Sequence, residues 1–113
     1  MLFVISCLDK PGHGHLRAEN REAHLGYLDA LGAALITAGP LLSDDGETPE
    51  GSVLIVAFES REAAQAFAAG DPYNQAGLFE QVSIQRWKQV FPKTNLSYCF
   101  PENSFARKLT QTT

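Results

Sequence analysis

Apolar residues along the chain follow two rhythms, and the switches between them mark out the elements. Leu2-Phe3-Val4-Ile5-Ser6-Cys7-Leu8 is short, rich in β-formers and closed by Asp9-Lys10-Pro11-Gly12, which predicts a buried strand ending in a turn. Gly12-His13-Gly14-His15 reads as loop. From Leu16 to Ala38 the spacing becomes helical: His24, Leu28, Leu31 and Leu35 share a stripe, Ala34 and Ala38 join it, and Gly39-Pro40 reads as a glycine cap followed by proline. One long helix is predicted there. Leu41-Leu42 and Ser52–Phe58 flank the turn cluster Ser43-Asp44-Asp45-Gly46 and predict a hairpin. Ser60 is a candidate N-cap for a second helix. Its stripe of Ala63, Ala64, Phe67 and Ala68 runs to near Asp71, where Pro72 disfavours further helical backbone. A connection over Tyr73–Phe79 leads to Glu80–Trp87, which alternates polar and apolar and predicts the last strand.

The order β-α-β-β-α-β with right-handed crossovers predicts an α+β, ferredoxin-like domain over residues 1–90: a four-stranded antiparallel sheet carrying both helices on one face. The first strand is apolar on both sides, with Phe3, Ile5 and Cys7 alternating with Leu2, Val4 and Leu8. Only one side can lie under the helices, so a face-to-face homodimer is expected to cover the other. Residues 91–113 fall outside this pattern. They read as an arm in which Tyr98, Phe100 and Phe105 are apolar enough to dock on a partner subunit, while Leu109–Thr113 reads as frayed.

Composition narrows the function classes. The 113 residues, 44% hydrophobic and 19% charged, suit one domain whose core needs neither metal nor disulfides for stability. Nine Lys and Arg are scattered among 13 Asp and Glu, for a net charge of −4, so no nucleic-acid partner is expected. The opening apolar run lacks a basic leader and is too short to span a membrane, which predicts no membrane association and a cytoplasmic protein. Cys7 and Cys99 stand far apart with no paired spacing and read as free thiols of a reducing compartment. His13 and His15 have the spacing of two metal ligands but no recognisable third, so no metal is expected. Cys7 lies in an apolar run without an activating base, which argues against a nucleophile. The glycines form no phosphate-binding loop.

The candidate chemistry lies at the start of the first helix. Arg17, Arg21 and His24 fall on nearly one face, where two guanidiniums, an imidazole and the positive end of the helix dipole favour an anion. Asp71, held out of the helical region by Pro72, can point its carboxylate toward the neighbouring helix. A carboxylate on one ring nitrogen fixes the tautomer and makes the other nitrogen a better base. The residues alone leave alternatives open. His24 can equally be a satisfied imidazole at the core edge, the arginines partners of Glu19, Glu22 or a neighbouring strand, and Asp71 a plain turn residue.

Arg17, Arg21-x-x-His24-x-x-Tyr27-Leu28, Ala38-Gly39-Pro40-Leu41, Gly51-Ser52, Asp71-Pro72-Tyr73 and Arg86-Trp87-Lys88, in this order over residues 1–90, resemble the YciI-like (YCII-related) family. The Gly12–His15 loop and the arm after Phe91 are not part of that pattern. The resemblance implies a small bacterial protein with the dimeric α/β-barrel form of the ferredoxin-like fold. It implies a catalytic His–Asp dyad at His24 and Asp71. Beside them it implies a pocket lined by Arg17, Arg21, Ser52, Tyr73 and the backbone at Gly39-Pro40. A characterised relative eliminates chloride from a chlorinated hydroxyhydroquinone, and similar folds host muconolactone isomerases and metal-free monooxygenases. The implied function is therefore a cofactor-independent lyase or isomerase, dehydrochlorinase-like, acting on a small cyclic or aromatic anion. A non-catalytic metabolite-binding or protein-interaction module is the alternative. Under the catalytic reading, His24→Ala and Asp71→Ala are expected to abolish turnover and leave the melting point nearly unchanged.

Overall fold

The computed structural model describes residues 1–93. Four strands, β1 (Leu2–Asp9), β2 (Leu35–Leu42), β3 (Pro49–Ala57) and β4 (Phe79–Trp87), form one sheet in the order β2-β3-β1-β4. Every pairing is antiparallel. Helices α1 (His15–Asp29) and α2 (Arg61–Gly70) pack on one face, and a short α3 (Pro72–Gln75) follows α2 directly. The fold is the α+β, ferredoxin-like one expected.

Alternation on β1 decides where the core sits. Phe3, Ile5 and Cys7 are buried, and their partners across the sheet, Val56, Leu54 and Ser52, are buried with them. Leu28, Ala64, Phe67 and Ala68 cover these positions from the helices, and Leu78 and Phe79 close the end nearest α3. Phe3, Ile5, Val56 and Leu78 are the largest fully sealed side chains. Each contributes about 1.5–3 kcal/mol by leaving water.

The long first helix is the expectation that fails. α1 ends at Asp29, Gly32 takes the left-handed φ of 56°, a 3-10 turn spans Gly32–Ala34, and the chain re-enters the sheet at Leu35. Leu31, Ala34 and Leu35 imitate a helical stripe. Yet β-branched Ile36 and Thr37 follow, and β3 offers a pairing edge on which Leu35 stands opposite Val56. Gly39-Pro40 is therefore mid-strand and not a helix cap. Proline is tolerated there because β2 is the outer strand of the sheet, where an N–H facing away from β3 has no partner to lose.

The second helix runs as its pattern indicates. Ser60 Oγ accepts the Ala63 N–H at 3.1 Å, and the helix stops one residue before Asp71. The connection expected over Tyr73–Phe79 instead contains α3, and β4 begins at Phe79.

The sheet face away from the helices presents Val4 opposite Ile55, with Leu2, Leu8 and Val53 around them. Leu8, Leu41 and Trp87 on this side are 45%, 38% and 39% exposed. No helix among the described residues is long and apolar enough to cross a membrane. Of the predicted arm, Tyr98, Cys99, Phe100, Phe105 and the segment to Thr113 lie outside the described residues.

Candidate active site

Asp9 closes β1, and Arg17 stands in the first turns of α1 above it. Arg17 Nε donates to Asp9 Oδ2 at 2.7 Å and Nη2 to Oδ1 at 2.9 Å, a two-pronged pair with both side chains largely buried. Nη2 also reaches the Gly51 carbonyl at 2.7 Å and Ser52 Oγ at 3.1 Å. One guanidinium thus ties α1 to β1 and β3, with its charge matched by Asp9. Gly51 is required at this crossing. A Cβ there would collide with the Cys7 backbone carbonyl of the neighbouring strand.

One turn further on, Arg21 lines the cavity beside α1 and makes no ion pair or hydrogen bond with any described residue. Another turn brings His24, buried at 7% exposure. Its Nδ1 lies 2.8 Å from Asp71 Oδ1. Asp71 sits in extended backbone (φ −59°, ψ 128°) between α2 and α3, as the following proline requires. There it serves both helices, as the last cap of α2 and the N-cap of α3. The same Oδ1 accepts the Tyr73 N–H at 2.9 Å. Tyr73 in turn stacks on the His24 ring, centroids 3.9 Å apart and planes 13° from parallel, and meets Phe79 edge-on. The imidazole is held at one nitrogen by a carboxylate and across one face by a phenol ring.

With Asp71 as acceptor, Nδ1 carries the proton and Nε2 presents its lone pair. Nε2 has no hydrogen-bond partner among the described residues. Among the described residues no sealed side-chain nitrogen or oxygen lacks one, so Nε2 opens to space. That space is a cavity of about 670 Å³. Arg17, Arg21, His24, Ser52 and Tyr73 line it on the polar side, and Leu25, Leu28, Ala38, Pro40 and Leu54 form an apolar wall. Asp71 stands behind His24, outside the lining. Gly39 and Pro40 also reach the cavity, from β2.

The electrostatics separate the groups further. Burial, reinforced by the nearby Asp71 and Asp9 carboxylates, pushes the Cys7 thiol up to about 12, so it stays protonated beneath the site. Burial also raises the Tyr73 phenol, against the opposing pull of Arg17 and Arg21. Among the described residues no three His, Cys, Asp or Glu side chains converge as a metal site would require.

Asp9 is the functional neighbour that sequence reasoning missed. It reads as part of a turn, and no periodicity links a strand-end carboxylate to an arginine two elements away. The pairing of Arg17 with a strand was one of the alternatives left open; the pairing with Glu19 or Glu22 does not occur.

The sequence profile of the YCII-related domain matches residues 1–88. The chain belongs to the YCII-related family. Protein YciI of Escherichia coli is 44% identical over 98 residues, covering 80% of this chain and 100% of that protein. A protein of Haemophilus influenzae is 40% identical over 98 residues, with the same coverage. Among solved structures, the chain resembles the 5-chloro-2-hydroxyhydroquinone dehydrochlorinase TftG of Burkholderia phenoliruptrix AC1100, in complex with 2,5-dihydroxybenzoquinone. Identity is 39%, the TM-score 0.73, and the match covers 79% of this chain and 95% of that one. SnoaB, a cofactor-independent oxygenase of Streptomyces nogalater, shares 11% identity at a TM-score of 0.50 over 81% of this chain and 96% of its own, a likeness of fold alone.

Proposed function

We propose that this YCII-related protein is a cofactor-independent lyase or isomerase, dehydrochlorinase-like, with His24 and Asp71 as a general acid/base dyad acting on a small cyclic or aromatic anion. The observation that carries this reading is the 2.8 Å contact between Nδ1 and Asp71, with Nε2 left open to the cavity. Asp71 fixes the tautomer and offsets the positive charge that His24 gains on taking a proton. Arg21, without an ion pair or hydrogen bond among the described residues, is the cation that meets the ligand's negative charge. Arg17, matched by Asp9, holds Ser52 and the rim of β3 in place. The apolar wall accepts the face of a ring. The likeness to TftG supports a hydroxylated ring as substrate.

The test is chloride release from 5-chloro-2-hydroxyhydroquinone by the full chain. Wild-type protein is expected to release chloride, and His24→Ala to lose at least about 100-fold in rate. Equal rates for wild type and His24→Ala would remove the dyad from the chemistry. Binding of 2,5-dihydroxybenzoquinone without any turnover would favour a non-catalytic module.

The same reading includes a homodimer in which a second copy covers the open sheet face, the arm 91–113 packs on the partner, and the protein works in the cytoplasm. Val4, Val53 and Ile55 supply a continuous apolar strip for the interface. Ile55→Asp is expected to halve the mass measured by light scattering. An unchanged mass would place the interface elsewhere.

A further inference from the structure

We propose that Tyr73 donates a hydrogen bond from Oη to the ring oxygen of the substrate that gathers negative charge when His24 takes the proton. The proposal rests on the catalytic reading of the site. It starts from a proton without an acceptor. Tyr73 is only 4% exposed, and the Arg17 guanidinium stands beside Oη as a side-chain donor. An arginine can only give protons, so the Tyr73 O–H keeps its own to donate, and no acceptor among the described residues takes it. Tyr73 lines the cavity beside His24. A buried phenol that borders a cavity with its proton unplaced is built for a ligand.

Placement supports the same conclusion. The ring lies flat on His24 at 3.9 Å, so one ligand seated at Nε2 also meets the edge of Tyr73. Asp71 Oδ1 fixes both partners, Nδ1 of His24 at 2.8 Å and the backbone N–H of Tyr73 at 2.9 Å. The relative position of base and donor is set before any ligand arrives, as electrostatic stabilisation of a developing charge requires. Phe79 braces the ring from its edge. Burial keeps the phenol protonated, and Arg17 and Arg21 add positive potential around it.

The step balances without a further reactant. Nε2 takes the proton of an acidic ring hydroxyl or carbon, and the electron pair enters the ring and collects on a ring oxygen. Tyr73 shares its proton with that oxygen and keeps it. In an elimination, chloride leaves with the bonding pair, so the ligand loses one proton and one chloride.

The experiment is Tyr73→Phe in the full chain, assayed for chloride release from 5-chloro-2-hydroxyhydroquinone and for binding of 2,5-dihydroxybenzoquinone. Because no acceptor among the described residues takes the Oη proton, and Arg17 keeps Asp9, Gly51 and Ser52 as partners, the melting temperature should stay within about 2 °C of wild type. Turnover is expected to fall about 100- to 1000-fold, mostly in kcat, and affinity for the quinone about tenfold. A kcat within threefold of wild type overturns the proposal and leaves the dyad standing. A large drop in melting temperature overturns its premise, since the hydroxyl would then be serving the fold. If wild type binds the quinone without turnover, affinity of Tyr73→Phe within twofold of wild type overturns it. A wild-type protein that neither binds nor turns over these compounds removes the catalytic reading and this proposal together.

Discussion

Asp71 holds a histidine and starts a helix with one oxygen, so asparagine and alanine at this position should behave very differently. Alanine removes the N-cap of α3, which costs about 1 kcal/mol. It also strands the Nδ1 proton of a buried imidazole, for about 1–3 kcal/mol more. The sum is about 2–4 kcal/mol, or a melting temperature lower by about 10–20 °C for a domain of this size. Asparagine keeps an oxygen in place for both donors and should melt within about 3 °C of wild type. It no longer offers a full negative charge to a protonated His24, so on the proposed function Asp71→Asn loses turnover with its fold intact. Truncating the dyad is therefore expected to lower the melting point, where the catalytic reading of the sequence expected little change; only the isosteric change should leave it in place. The assay is thermal unfolding of the two variants and of the His24→Ala/Asp71→Ala double variant. The double variant should cost about 1–3 kcal/mol less than the two single changes added, because no imidazole remains to be stranded. Equal melting temperatures for Asp71→Ala and Asp71→Asn would refute the shared role of Oδ1.

Gly51→Ala forces a Cβ against the Cys7 carbonyl and displaces the Gly51 carbonyl from Arg17, so a loss of about 2–4 kcal/mol is expected in urea unfolding. Gly26→Ala meets nothing within 4 Å on α1 and should stabilise by up to about 1 kcal/mol, which makes it the control. The Cys7 thiol is raised to about 12 in the fold from 9.0, so the folded protein holds that proton more tightly. Its contribution is complete below pH 9 and is lost as pH rises toward 12, and Cys7→Ala should flatten the alkaline fall in urea midpoint. A thiol reagent at pH 8 should label Cys7 only after unfolding. Arg21→Gln should weaken binding of 2,5-dihydroxybenzoquinone about tenfold without moving the melting temperature, whereas Arg17→Gln should lower that temperature by leaving Asp9 buried and unpaired.

Strands β1, β3 and β4 are legible because their β-rich runs stand clear of any helical spacing: in β1, Phe3, Ile5 and Cys7 point one way, and Leu2 and Val4 the other. The end of α1 is not, because Leu31, Ala34 and Leu35 continue a helical spacing through a turn that only the φ of Gly32 reveals. Tertiary pairing with β3 then overrides the local pattern. The site divides in the same way. Arg17, Arg21 and His24 can be placed on one helical face by counting turns. Asp71 meets His24 from 47 positions away, a distance that periodicity does not bridge; the topology allowed the meeting beside a plain turn, and the family resemblance chose it. Asp9 had neither cue.

The cavity draws its walls from structurally unequal sources. Its polar side rests on α1 and on β3, inside the sheet, where the Asp9–Arg17 fork and the crossing at Gly51 leave little freedom. Part of its apolar side belongs to β2, an outer strand paired along one edge only among the described residues. Ala38 and Pro40 can thus be exchanged for larger or smaller residues with the central ladder and the His24–Asp71 contact undisturbed. A change in the molecules the cavity admits can therefore be confined to this margin, at no cost to the contact between His24 and Asp71.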